Sequence, residues 1–288
     1  MLGCDCYCLN SFVYLVGFLT IASKVIPFLF KLVKGEKLIE LQEKNYKKDV
    51  VYFYQFPGTP TVSSFSPFCI KVEAFLRLHK IKYERRNTLS TRGSNGQLPF
   101  IELNGEIHSD SQIIIRRLTQ IFKLKEYPDE QTAAIGHAVD RLLDNHTFNL
   151  RLMIKTGVDK MIREMNSDTV HPVFLPIVAS LGGWYLSNKM VNRASVSVGK
   201  FKEYEFKELL RNDLIQLQTI LGKKNFLMGE EPTTVDCTAI GQLGSANAIP
   251  SSRYYYHDLL DSSELAPLKE YCERVKTRIF GDEFCDRK

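Results

Sequence analysis

The sequence has no cysteine pattern that could form a disulfide framework. It holds seven cysteines, an odd number, and four of them are widely separated: Cys69, Cys237, Cys272 and Cys285. Small secreted domains carry even numbers of closely spaced cysteines that pair with one another. The pattern therefore excludes that class and favours a reducing compartment for the folded part of the chain.

A concentrated run of basic charge is also missing. The chain has 38 basic and 33 acidic residues, a net charge of +5, and the pairs Lys47–Lys48 and Arg85–Arg86 stand alone. Nucleic-acid-binding domains cluster Lys and Arg on one face, so we expect no nucleic-acid partner. The sequence has no internal repeat and no low-complexity tract. Its 288 residues, 44% of them hydrophobic, are enough for two modest domains.

One apolar run lies near the start of the chain. Residues 6–23 carry no charge, and about 20 apolar residues cross a bilayer as a helix. Four lysines follow between residues 24 and 37, whereas Asp5 is the only charged side chain before the run. The positive-inside rule then predicts a membrane-associated protein with a single N-terminal pass and its folded domains facing the cytosol. A cleaved signal peptide and a helix lying in the membrane interface are alternatives.

Three cysteines, Cys4, Cys6 and Cys8, lie beside this apolar run. Thiols next to a membrane segment are typical of S-palmitoylation. Thiolates also suit soft metal ions, but no histidine or fourth cysteine lies nearby to complete a site. We therefore expect lipidation or no special role for these cysteines, and no metal site.

The segment that follows has the element order of a thioredoxin-like unit. A run of β-branched and aromatic residues, 50–56, predicts a strand. After a loop, Ser66 suits an N-cap and Pro67 the first position of a helix that runs to Lys80. A short strand follows at 82–89. The sequence thus begins with a β-α-β unit.

A β-β-α unit completes the pattern. "PFIEL" predicts a strand, "NGE" a tight turn, and "IHS" the returning strand, after which Ser109 or Asp110 caps the helix 111–122. The Leu98–Pro99 peptide directly before the third strand is predicted to be cis. Together the two units predict a mixed four-stranded sheet with a thioredoxin fold.

Two stretches of this half are "YFYQFPGTPTVSSFSPFCIKVEAFLRLHKIKYE" and "RGSNGQLPFIELNGEIHSDSQIIIRRL". They resemble the N-terminal half of cytosolic glutathione transferases, on the failed axon connections and metaxin-like branch, close to nematode cadmium-responsive proteins. "NFLMGEEPTTVDCTAIGQL" resembles the capping box of the helical half, with Thr233 and Asp236 at the N-cap and N3 positions. The resemblance implies an α/β thioredoxin-like N-terminal domain plus an all-α C-terminal domain, preceded by an N-terminal hydrophobic segment. The predicted bounds are 1–46 for the anchor and linker, 47–124 for the first domain and 125–288 for the second.

The resemblance also implies a glutathione site. Ser66 stands where several transferase classes carry the catalytic residue, and a thiolate at a helix N-terminus is stabilised by unpaired N–H groups and by the dipole. Leu98, before Pro99, would bind the cysteinyl part through its backbone, and Asp110 with Ser111 would hold the γ-glutamyl group. Each of these residues also fits a purely structural role, because Ser66 and Asp110 are good helix caps.

Other residues near this site remain open choices. Tyr54 is a rival hydroxyl, although strand alternation favours a packed side chain. Cys69 is expected to be a small buried packing residue. Lys71 and Arg92 are guesses for the basic side chain that binds the glycine carboxylate of glutathione.

Two functions follow from the resemblance. One is a membrane-tethered glutathione S-transferase-like protein that conjugates glutathione to an unidentified electrophile, or that acts in cadmium or xenobiotic stress. The other is a non-catalytic metaxin-like adaptor in membrane protein assembly or axon development. A homodimer or another protein partner is compatible with either function.

Overall fold

The computed structural model describes residues 36–37, 40–59, 61–154, 175–245 and 255–285. The apolar run 6–23 and the three cysteines near it lie outside the described residues. Among the helices in the described ranges, none is both long enough and apolar enough to span a bilayer.

The strands of the first half form a mixed four-stranded sheet and a separate two-stranded pair. The strands are β1 Glu36–Lys37, β2 Val51–Gln55, β3 Tyr83–Asn87, β4 Thr91–Arg92, β5 Phe100–Leu103 and β6 Glu106–Ser109. The order in the larger sheet is β3-β2-β5-β6, and β1 pairs with β4. β2 is parallel to β3 and antiparallel to β5, which is antiparallel to β6. The predicted thioredoxin-like sheet is confirmed, and the Leu98–Pro99 peptide before β5 is cis.

Nine α-helices complete the described ranges. They are α1 Pro67–Leu78, α2 Ser111–Ile121, α3 Glu130–Arg141, α4 Phe148–Met153, α5 Leu175–Val198, α6 Glu203–Leu221, α7 Thr234–Gly244, α8 Tyr255–Leu260 and α9 Ala266–Phe280. A π-helical turn, Leu142–Thr147, joins α3 to α4, and 3₁₀ turns at Ser263–Leu265 and Gly281–Phe284 flank α9. The architecture is a thioredoxin-like domain followed by a helical domain. The boundary at residues 124 and 125 stays a prediction.

Helix α1 is buried on almost every face. The sequence pattern places Lys71 and Glu73 off the apolar side of this helix, but they are only 1% and 0% exposed. The two residues are buried for different reasons. Glu73 is surrounded by Tyr83, Arg77 and Arg85 of the first domain. Gly241 of α7 and two aspartates of the second domain cover Lys71. Gly241 permits the close approach, since a Cβ there would lie 2.5 Å from the carbonyl oxygen of Pro67.

The helical domain keeps the two features that its sequence indicates. The leucine stripe on α6 is buried, at Leu210, Leu214, Leu217 and Leu221. At the start of α7, the backbone N–H of Thr233 donates to Asp236 Oδ2 at 2.8 Å, as a capping box requires. The leucine stripe packs α6 into the core of the helical domain, and the capping box fixes the start of α7.

Candidate functional site

A cleft of about 310 Å³ lies between the two domains. Its first wall comes from the thioredoxin-like half: Phe68, Asn95, Gln97, Leu98, Pro99, Asp110, Ser111 and Gln112. Its second wall comes from α3, the π-helical turn, α4 and α5: Arg141, Asp144, Asn145, Phe148, Asn149, Arg193 and Ser197. Polar side chains and backbone dominate the lining, which suits a polar ligand rather than a purely apolar one.

Asp110 and Ser111 meet the cleft at the beginning of α2. Asp110 Oδ1 accepts a hydrogen bond from the backbone N–H of Gln112 at 2.9 Å, so the carboxylate caps the helix. Its φ of +82° is uncommon for a residue other than glycine, and such strain concentrates at functional sites. Ser111 is buried, and its N–H belongs to the first turn, where N–H groups lack helical partners. The arrangement caps α2 and also offers an anion-binding helix end.

The structure brings four of the five predicted site residues together. Leu98, Pro99, Asp110 and Ser111 all line the cleft. Ser66 is not among the lining residues, although Phe68, two positions later, is one of them.

The position of Ser66 is that of an N-cap. Its Oγ accepts from the backbone N–H of Cys69 at 3.4 Å, and Pro67 occupies the first helical position, as the sequence indicates. The side chain is half-buried at the start of α1. Capping accounts for this geometry on its own, so a catalytic role for Ser66 stays a prediction.

Cys69 and the rival hydroxyl of Tyr54 are both packed. Cys69 is fully buried, and burial raises the pKa of its thiol to about 11, so the side chain is a neutral packing group at neutral pH. Tyr54 is buried and stacks on Phe100 with ring centroids 4.3 Å apart. Its hydroxyl donates to Glu102 Oε2 at 3.3 Å, and burial raises its pKa. A hydroxyl held in this way is turned to the core of the sheet domain.

A buried polar network lies behind the cleft and joins the two domains. Lys71 Nζ donates to Asp140 Oδ1 at 2.6 Å and to Asp144 Oδ2 at 2.7 Å. Gln112 Nε2 donates to the same two carboxylates, at 2.8 and 2.7 Å. Arg141 pairs with both aspartates from the solvent side. Burial raises the pKa of Asp144, and the charge of Lys71 opposes that rise.

The contacts of Lys71 and Arg92 do not agree with the guess that either residue binds the glycine carboxylate of glutathione. Lys71 is committed to two aspartates, so its ammonium group is not available to a ligand. Arg92 is buried, donates to the carbonyl oxygens of Thr91 and Leu89, and lies over the ring of Phe56. Neither side chain lines the cleft.

Sequence reasoning missed the whole second wall of the cleft. Asn145 belongs to the π-helical turn, and such turns are frequent at functional sites. Phe148, just after the turn, packs edge-to-face on Phe68 with ring centroids 4.8 Å apart and so connects the two walls. The sequence signal over this stretch is a general helical pattern, which does not show which turn faces the first domain.

Comparison with known proteins agrees with this architecture. Residues 67–161 match the glutathione S-transferase N-terminal domain, and residues 210–275 match the glutathione S-transferase C-terminal domain. Failed axon connections of Drosophila melanogaster is 30% identical over 265 residues, which are 86% of this chain and 62% of that protein. The chain belongs to the glutathione S-transferase family. It lies on the failed axon connections and metaxin-like branch, and it spans 62% of the length of that relative.

Solved glutathione transferases share the fold. One from Phanerochaete chrysosporium superposes with a TM-score of 0.54 at 16% identity, covering 80% of this chain and 97% of that one. One from Ceriporiopsis subvermispora, in complex with glutathione, gives 0.50 at 19% identity, with 78% and 97% covered. One from Methylobacterium radiotolerans, in complex with glutathione sulfonate, gives 0.52 at 15% identity, with 83% and 96% covered. Identities this low show a common fold alone.

Proposed function

We propose that this protein binds glutathione in the cleft between its domains and conjugates it to electrophiles. The observation that carries the proposal is the convergence of Leu98, Pro99, Asp110 and Ser111 on one cleft at the domain interface. Two solved relatives of the same fold hold glutathione or glutathione sulfonate, which supports the choice of ligand. Removal of reactive electrophiles in this way would serve a response to cadmium or xenobiotic stress.

Each group in the cleft would have a distinct task. The Asp110 carboxylate would pair with the ammonium group of the γ-glutamyl residue, and the N–H of Ser111 at the start of α2 would bind the adjacent carboxylate. The backbone of Leu98 would hydrogen-bond the cysteinyl unit. Ser66, at the start of α1, would stabilise the thiolate with its hydroxyl and with the helix end.

The Asp110→Asn variant tests the glutathione site directly. Asparagine caps helices as well as aspartate does and tolerates a positive φ, so the fold should be retained while one negative charge is lost. We expect the Kd for reduced glutathione, measured by titration calorimetry, to rise about tenfold. This is the low end of the roughly 1.5–3 kcal/mol that a charge-assisted hydrogen bond contributes, because Asp110 is exposed and solvent screens its charge.

The matched control is Asp129→Asn, which changes the exposed N-cap of α3 away from the cleft lining. Its affinity for glutathione should equal that of the wild type, and thermal melts of both variants should be unchanged. An Asp110→Asn protein that binds glutathione as tightly as the wild type would exclude this role for Asp110. No binding by the wild-type protein would reject the proposed function.

A non-catalytic adaptor is the second candidate function. It is favoured by the position of Ser66, which caps α1 and is not among the residues that line the cleft. In such a protein the transferase fold would present a surface for membrane protein assembly or axon development, a role compatible with the name of the Drosophila relative. Absence of conjugation and of glutathione binding would support this adaptor over the enzyme.

We also propose that the N-terminal run tethers the protein to a membrane with its folded domains in the cytosol. The support is the uncharged stretch 6–23 followed by lysines. Deletion of residues 1–35, which keeps the strand β1 and its pairing with β4, is expected to move the protein from carbonate-washed membranes to the supernatant. Its thermal unfolding should not change, since the core residues described here all follow position 50. Retention of the truncated protein in washed membranes would show that the tether lies elsewhere.

A further inference from the structure

The charges of the cleft and of the network behind it are nearly all compensated. Lys71 and Arg141 carry two positive charges, and Asp140 and Asp144 carry two negative ones, with every member paired to another. Asp110 is held against the first N–H groups of α2. The remaining charged group on the lining is Arg193.

Arg193 differs from these residues in having no partner among the residues that the structure describes. It lies on α5 with an exposed side chain, and within the described ranges its guanidinium makes no ion pair and no hydrogen bond. Its neighbours on the same wall are already engaged, since Asn149 Nδ2 donates to Ser197 Oγ at 3.2 Å. A guanidinium can bind a carboxylate through two parallel N–H···O bonds, and Arg193 is free to do so.

The proposed ligand has one charged group left over for such a partner. At neutral pH reduced glutathione carries one ammonium group and two carboxylates. Asp110 suits the ammonium group, and the start of α2 at Ser111 suits one carboxylate. The second carboxylate has no counterpart on the thioredoxin-like wall, because Lys71 and Arg92 are buried and engaged.

We infer that Arg193 is a ligand-binding residue that takes a carboxylate of the molecule in the cleft, so that the helical domain supplies part of the glutathione site. This inference rests on the proposed function. The carboxylate could be that of the glycine residue or that of the γ-glutamyl residue, and both have the same chemistry toward a guanidinium. In either case both domains contribute to the site, because one wall binds the amino group and the other wall binds a carboxylate.

The test compares Arg193→Gln with Lys189→Gln in the full-length protein. Lys189 lies one helical turn earlier on α5, is exposed and does not line the cleft. The Lys189→Gln variant therefore removes one positive charge from the same helix at a position outside the cleft. Binding of reduced glutathione and of its glycine monoethyl ester is measured by titration calorimetry. We expect Arg193→Gln to weaken glutathione binding about three- to tenfold, as for a partly exposed charged hydrogen bond, and Lys189→Gln to leave it unchanged.

The ester identifies the carboxylate. If Arg193 meets the glycine carboxylate, the ester binds the wild type more weakly and Arg193→Gln weakens it no further. If Arg193 meets the γ-glutamyl carboxylate, the variant weakens glutathione and ester equally. Normal glutathione binding by Arg193→Gln, or an equal loss in Lys189→Gln, overturns the inference while the proposed function stands. Absence of glutathione binding by the wild type overturns both.

Discussion

Replacement of Lys71 by methionine is expected to lower the free energy of unfolding by about 3–5 kcal/mol, because it leaves buried carboxylates without their main counter-charge. Lys71 Nζ lies 2.6 Å from Asp140 and 2.7 Å from Asp144, and its side chain is 1% exposed. Methionine fills a similar volume, so the loss reflects charge rather than a cavity. Urea denaturation of the two proteins measures the difference.

Two further variants test whether the loss of stability in Lys71→Met comes from the buried charge. Lys80→Met changes an exposed lysine just after α1 and should shift the free energy of unfolding by less than about 0.5 kcal/mol. A triple variant that combines Lys71→Met with Asp140→Asn and Asp144→Asn should recover part of the loss, since it removes the unpaired charges as well. A loss below about 1 kcal/mol in Lys71→Met would show that the network contributes little to stability.

The loss in Lys71→Met should also depend on pH. Burial raises the pKa of Asp144, and the Lys71 charge opposes that rise, so its removal raises the pKa further. The pKa of such a carboxyl group is higher in the folded state than in the unfolded state. The group then stabilises the fold fully at a pH below its unfolded-state pKa, and this stabilisation is lost as the pH rises through its folded-state pKa. The difference in stability between wild type and variant should therefore shrink as pH falls from about 7 toward 5. A difference that stayed constant over this range would contradict the charge-based explanation.

The Ser66→Ala variant is expected to lower conjugation turnover about ten- to a hundredfold if the protein is a transferase. The hydroxyl would act on the thiolate, and loss of one charge-assisted hydrogen bond of roughly 1.5–3 kcal/mol corresponds to that factor in rate. Glutathione affinity should change much less, because Asp110, Ser111 and the Leu98 backbone hold the rest of the tripeptide. Steady-state kinetics with a model electrophile and calorimetric titration separate the two effects.

The capping role of Ser66 requires its own control. Alanine at an N-cap costs about 1 kcal/mol of stability whatever the chemistry. Thr233→Ala removes the N-cap of α7 and should lower the melting temperature without a comparable loss of turnover. If a well-folded Ser66→Ala protein conjugates glutathione at the normal rate, Ser66 has no part in the mechanism.

Local sequence signals are enough to predict several of the observed elements. The N-cap Ser66 followed by Pro67 predicted the start of α1, and Asn104–Gly105 predicted the turn between β5 and β6. The capping box at Thr233 was equally visible. These signals are readable because each depends on backbone groups within a few positions along the chain.

The tertiary structure decided the surroundings of α1. A charged residue off the apolar face of a helix is normally exposed to solvent, but Lys71 is buried because the second domain covers it. Its partner Asp140 lies 69 positions later in the chain, so no local pattern identifies the pair. Periodicity shows that a face is polar; what covers that face depends on domain packing.

The cleft shows the same division between local and long-range information. The wall that carries Asp110 and Ser111 was predicted from the resemblance of one stretch of sequence to glutathione transferases. The wall that carries Arg193 comes from helices whose polar residues resemble any solvent-exposed surface until α5 is packed beside the first domain. The sequence therefore determined the fold and half of the candidate site, and domain packing decided the other half, because a cleft between domains depends on contacts between residues far apart in the chain.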